Sequence, residues 1–170
     1  GNESLFLVNG FVPNLMETYG LPHSVVVVLS LHGPLAWRDA RKLFVGQTDP
    51  AKAIEGSLRN HLYVNRNALG ITDLRLGANG VHLSSGPIEA LVELHRLMSL
   101  GSPDAQRSHA DLQFGRKLLS IFSPQEVKAI VANPTVRFEG RSEPLFDLTE
   151  ELDEDAAQTL LLGIRDQFAR

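Results

Sequence analysis

The sequence predicts an α/β chain with a mainly helical C-terminal part, and three observations carry that expectation. The run "SVVVVLSL" (24–31) is short, β-branched and stopped by His32-Gly33-Pro34, the pattern of a buried strand. "GVHLS" (80–84) reads as a second short strand, running directly into a helix opened by Gly86 and Pro87. After Gly101-Ser102-Pro103 the apolar residues fall mostly at helical spacing.

Each element follows from its punctuation. In "LAWRDARKLF" (35–44), Trp37, Ala40 and Phe44 recur at helical spacing. "TDPAKAIEGSLRNHL" (48–62) opens with Asp49 as N-cap and Pro50 at the first helical position, and Gly56 splits it into two short pieces. Residues 63–78 lack periodicity and read as a long loop. The helix after Gly86 and Pro87 places Ile88, Leu91, Val92, His95 and Met98 down one side. Ser123 and Glu126 form a capping-box pattern with Pro124 between them, and Asn133-Pro134 closes that helix. "TVRFEG" (135–140) reads as a short extended piece. From Asp153 a last helix carries Ala156, Ala157, Leu160, Leu161, Ile164 and Phe168 on one face, a stripe that must bury against something. Gly101–Pro103 is the only boundary offered, which gives one domain over 1–102 and a helical extension over 103–170.

The chain has 170 residues, enough for one real core, and no cysteine, so neither disulfides nor a thiolate metal site is expected. No apolar run is long enough to cross a bilayer, and the N-terminal residues carry no targeting pattern. A cytoplasmic location and no membrane partner are therefore expected. Net charge is −4, which argues against nucleic acid as a partner. The charge is uneven: seven bases against four acids between Arg38 and Arg75, then seven acids and no base between Glu143 and Asp155. Two solvated faces of opposite sign would explain this, and so would an anion site followed by an acidic tail.

The chemistry concentrates in "NGVHLSSGPIEALVEL" (79–94). A nucleophilic histidine needs one ring nitrogen free and the other held by an acceptor. Glu93, eleven residues after His82 and two turns into the following helix, can reach back to hold it. Ser84 and the free N–H groups at the start of that helix can donate to a transferring phosphate. A lone histidine at such a place is more simply a half-buried residue satisfied by a carbonyl, but here it has company.

"VGQTDPAKAIEGSLRNHL" (45–62) resembles the GxTxP…GxxR segment of nucleoside diphosphate kinases, and residues 79–94 resemble their N-x-x-H-G-S-D signature with its glutamate eleven residues on. "NGFVPNLMETYGLPHSVVVVLSL" (9–31) resembles the segment upstream of these in the same family. The resemblance spans residues 10–100. It implies a ferredoxin-like antiparallel sheet with helices, with "SVVVV" central and paired to the His82 strand. It also implies ping-pong transfer of a γ-phosphate between nucleoside triphosphates and diphosphates, with Mg²⁺ on the phosphates. His82 would be the phosphorylated nucleophile, Glu93 its orienter and Ser84 a further catalytic group. Arg59 and Thr48 would hold phosphates, Asn79 would meet the sugar and Phe11 would stack on the base. Arg41 is the candidate second phosphate arginine, with Lys42 its rival. No dedicated protein metal site is expected. A homo-oligomer or a subunit of a larger assembly is expected, cytoskeletal or axonemal locations included.

The departures define the alternative. The family's Lys-Pro-Asp, first helix and second strand have no counterpart here. Ser85 stands for the metal-placing aspartate and Leu83 for the glycine after the histidine, and about ten extra residues separate Arg59 from Asn79. Residues 101–170 match nothing in the family. The alternative is a catalytically weak or inactive nucleotide-binding or assembly module of a larger complex.

Overall fold

The computed structural model describes residues 20–100 and 108–168. The chain divides into two compact units, Gly1–Leu31 and His32–Arg170. In the first unit a turn closes with Ser24 N–H donating to the Leu21 carbonyl at 3.0 Å, and residues 24–31 carry no strand. Val25 through Leu29 are exposed. The expected central strand is therefore not formed. A β-branched run gains from being a strand only when a second backbone and a packed face meet it.

The second unit is α+β, built from helices and one small antiparallel sheet. Helix α1 (Trp37–Asp39) continues as a π-helical turn over Ala40–Val45, closed by Gly46 N–H on the Arg41 carbonyl at 3.0 Å. Wide turns of this kind recur at functional sites. Gly46 ends it at φ 92°, where an added Cβ would run into the Ser57 side chain. Asp49 caps the 3₁₀ turn Pro50–Lys52 through Ala51 N–H at 3.1 Å, as its position before Pro50 predicts. Gly56 at φ 85° then breaks the chain before α2 (Leu58–Asn65), capped by the fully buried Ser57.

Helix α3 (Pro87–Leu100) starts where Gly86-Pro87 predicts, with Ile88 and Leu91 facing the core. A 3₁₀ turn (His109–Asp111) leads into α4 (Gln113–Leu119), and the predicted Ser123–Glu126 capping box opens α5 (Pro124–Val131). Strands β1 (Thr135–Phe138) and β2 (Arg141–Pro144) form a hairpin in register Thr135↔Pro144. Its two turn residues, Glu139 (φ 47°) and Gly140 (φ 80°), both take the left-handed conformation that matches strand twist. A short α6 (Leu145–Leu148) precedes α7 (Glu154–Gly163) and a last 3₁₀ turn, Arg165–Gln167. Among the described residues no helix is long and apolar enough to cross a membrane.

One core joins the elements from α3 onward: Ile88 and Leu91 of α3 cluster with Leu118, Val127, Ile130, Val136, Leu145, Leu161 and Phe168. The C-terminal stripe docks as its periodicity demands, burying Ala157, Leu161, Ile164 and Phe168, while Ala156 stays exposed. Core side chains thus come from both sides of residue 102. The buried Glu126 adds a polar lock, accepting from Arg165 Nε at 2.6 Å and Nη2 at 2.9 Å. Those hydrogen bonds and the Ser123 N–H hold its carboxyl down at about 2.

Gly86 is where the core meets the residues around His82. A Cβ there would overlap the Thr149 carbonyl, which is backbone and cannot swing aside. Gly86→Ala is expected to destabilise the chain by about 1–3 kcal/mol, the usual cost of overpacking. A chemical-denaturation midpoint unchanged from that of the parent chain would contradict this packing.

Candidate functional site

Residues 80–84 form no strand, which corrects the expectation for "GVHLS". Side chains fix this segment instead. Arg59 Nη2 donates to the Val81 carbonyl at 2.7 Å, Trp37 Nε1 to the Ser84 carbonyl at 2.9 Å, and Glu151 N–H to the Ser85 carbonyl at 2.8 Å. These are carbonyls that a neighbouring strand would otherwise have taken. Its partners come from a guanidinium, an indole and one backbone amide of a distant loop.

His82 projects from this segment with its side chain 70% exposed. Its Nε2 lies 2.9 Å and 3.0 Å from the two oxygens of Glu93, and Ser84 Oγ donates to Glu93 Oε2 at 2.6 Å. Glu93 stands two turns into α3, so the eleven-residue spacing closes the pair as the sequence requires. The hydrogen bond that Glu93 accepts raises the His82 pKa above its ordinary value, against a smaller opposing effect of burial. The same bond lowers the Glu93 carboxyl, with Ser84 helping. When Nε2 carries the proton that Glu93 accepts, the lone pair sits on Nδ1. At the helix mouth, Ser85 N–H donates to Glu89 at 2.5 Å.

A second cluster lines an open cleft of about 620 Å³: Arg38, Arg41, Lys42, Thr48, Lys52 and Glu151 are on its wall, with Gly46, Gln47 and Asp49. Of the sequence-predicted residues, Arg41 and Thr48 are here, and so is Lys42. Asn79 reaches the edge of this group, its Nδ2 donating to the Thr48 carbonyl at 3.2 Å. Arg59 ties the two clusters together: Nη1 donates to the Gly46 carbonyl at 2.7 Å while Nη2 holds Val81, the residue before His82. Burial, with Arg41 nearby, lowers the Arg59 pKa. Its Nε is buried without a hydrogen-bond partner among the described residues. Phe11 lies outside the described residues.

Sequence reasoning missed Arg38, Lys52, Trp37 and the acidic pair Glu150–Glu151. Arg41 Nη2 meets Glu150 at 2.7 Å, and Glu151 meets Arg41 Nε at 3.7 Å and Arg38 Nε at 3.3 Å. The signal was present as charge: the basic run 38–75 and the acidic run 143–155 meet here. No protein-family model, no curated protein and no solved structure matches the chain.

Proposed function

We propose that the chain is a nucleoside diphosphate kinase-like phosphotransfer module acting through a phosphohistidine on His82. The observation that carries this reading is the His82–Glu93 pair, engaged through Nε2, on a segment that Arg59 ties to a basic cleft. Nδ1 attacks the γ-phosphorus, the bond from phosphorus to the bridging oxygen breaks, and the nucleoside diphosphate leaves with that electron pair. Glu93 stabilises the positive charge that grows on the ring. The acceptor diphosphate then attacks the phosphohistidine in the reverse sense.

The cleft supports the phosphate chain. Arg41 stands on the cleft wall, and Arg59, its pKa lowered by burial and then by Arg41, braces that wall through the Gly46 carbonyl. Arg38 and Lys42 add charge on the same wall, and Thr48 adds a hydroxyl. Asn79, fixed on the Thr48 backbone, stands for the sugar contact. Mg²⁺ carried on phosphates needs few protein ligands. Among the described residues no cluster of three metal-binding side chains forms, and the carboxylates on the cleft wall, Asp49 and Glu151, are engaged with Lys52 and with Arg38 and Arg41. The ion would neutralise phosphate charge. Assembly into an oligomer belongs to the same reading.

The test is incubation with nucleoside triphosphate and Mg²⁺. A phosphate that is acid-labile and base-stable is expected on the parent chain and absent from His82→Ala, because a phosphoramidate hydrolyses once its nitrogen is protonated. Label on Ser84 or Ser85, or label that persists in His82→Ala, would overturn the histidine mechanism. Nucleotide binding without label supports the binding-module alternative, which the replacement of the metal-placing aspartate by Ser85 favours.

A further inference from the structure

The arginines of the cleft already hold carboxylates. Glu150 takes Arg41 Nη2 at 2.7 Å, and Glu151 spans Arg41 Nε at 3.7 Å and Arg38 Nε at 3.3 Å. The segment that brings them is fastened at three further points. Glu151 N–H donates to the Ser85 carbonyl at 2.8 Å, Trp37 N–H donates to Asp153 Oδ1 at 2.7 Å, and the Thr149 carbonyl packs on Gly86. Residues 149–153 therefore touch both the arginine-bearing turn and the loop that follows His82.

We propose that residues 149–153 form an autoinhibitory clasp, in which Glu150 and Glu151 occupy the guanidinium groups that a polyphosphate would use. The proposal rests on the reading of this cleft as the phosphate site and adds how that site is regulated. Two oxygens of a carboxylate offer guanidinium the same planar, bidentate geometry as two oxygens of a phosphate. A phosphate chain carries more charge and more acceptors, so it can displace the glutamates. The pairs are partly exposed, Glu150 by 47% and Glu151 by 36%, and such pairs are individually weak. Glu151 is also bonded to Ser85 through its backbone, so it can keep its place while its side chain lets go. The clasp thus sets a threshold rather than a block: the cleft opens to ligands of high negative charge and excludes weak anions.

The probe is inorganic tripolyphosphate, titrated calorimetrically against the intact chain. The double variant Glu150→Gln/Glu151→Gln is expected to bind it about 3–10-fold more tightly, the range that two exposed ion pairs allow. Glu150→Gln alone, which leaves the Glu151 contacts in place, is expected to gain an intermediate amount. The hairpin variant Glu139→Gln/Glu143→Gln removes the same two charges elsewhere and is expected to change affinity by less than about 2-fold, because salt screens distant charge. Equal affinity in the parent and the clasp variant, equal tightening in the hairpin variant, or no binding by any chain overturns the clasp. Tightened tripolyphosphate binding together with no His82 labelling by nucleoside triphosphate upholds the clasp and sinks the phosphotransfer reading, so the two fail separately.

Discussion

Leu161→Ala is expected to lower stability by about 2–5 kcal/mol, the range for deleting a fully buried leucine. Leu161 is 0% exposed and lies in the cluster that contains Ile88, Leu118, Ile130 and Phe168. Those neighbours sit on α3, α4, α5 and the C-terminal turn, so several elements would have to shift together to fill the cavity. The measurement is the denaturant midpoint at constant slope. A loss under about 1 kcal/mol would mean that α7 is a detachable appendage rather than a wall of the core. The same variant probes the site, because α7 begins at the end of the segment that holds Arg38 and Arg41.

Glu93→Gln is expected to slow phosphorylation of His82 on the order of 10²-fold, the loss typical of removing one well-placed electrostatic group. It is also expected to move the acid limb of the pH–rate profile to lower pH. The sign follows from the geometry. Only the neutral imidazole attacks, so the rate rises as pH climbs through the His82 pKa. Glu93 raises that pKa above 6.5, chiefly through its hydrogen bond, so the parent's acid limb lies above the ordinary histidine value. Glutamine keeps an acceptor but loses the charge, and the limb falls back. Tripolyphosphate affinity is expected to be unchanged, since Glu93 is not on the cleft wall. A slower rate with an unmoved limb would show that Glu93 acts only on packing.

Local signals carried much of the helical architecture. Asp49 before Pro50, Gly56, Ser123 with Glu126, and Asn133 each mark a boundary that the structure keeps, because caps and positive-φ positions are decided by neighbours in sequence. The His82–Glu93 contact was legible for a related reason: the helix start at Pro87 fixes how far Glu93 can reach back. Of the three extended runs read from the sequence, 135–140 became strand β1, while the other two did not form strands. A run such as Val25–Val28 announces a surface suited to pleated pairing, but pairing needs a second backbone that the run itself does not encode. Residues 80–84 show the other outcome, in which donors from Arg59, Trp37 and Glu151 substitute for that backbone. The Arg41–Glu150 contact joins residues more than a hundred apart, so only the charge imbalance hinted at it.

The hairpin has a quieter consequence. Gln167 accepts the Arg137 N–H and donates to the Arg137 carbonyl, both at 2.8 Å. One side-chain amide thereby mimics a single residue of an adjoining strand. An open strand edge is a template on which other chains can stack, and a two-stranded sheet has two such edges for very little interior. By plugging β1 with its own C-terminal glutamine, the chain removes the nearest invitation to fibre-like growth without spending a third strand on it. Copies of this protein that associate are thereby steered toward side-chain surfaces and away from backbone zippering at Arg137.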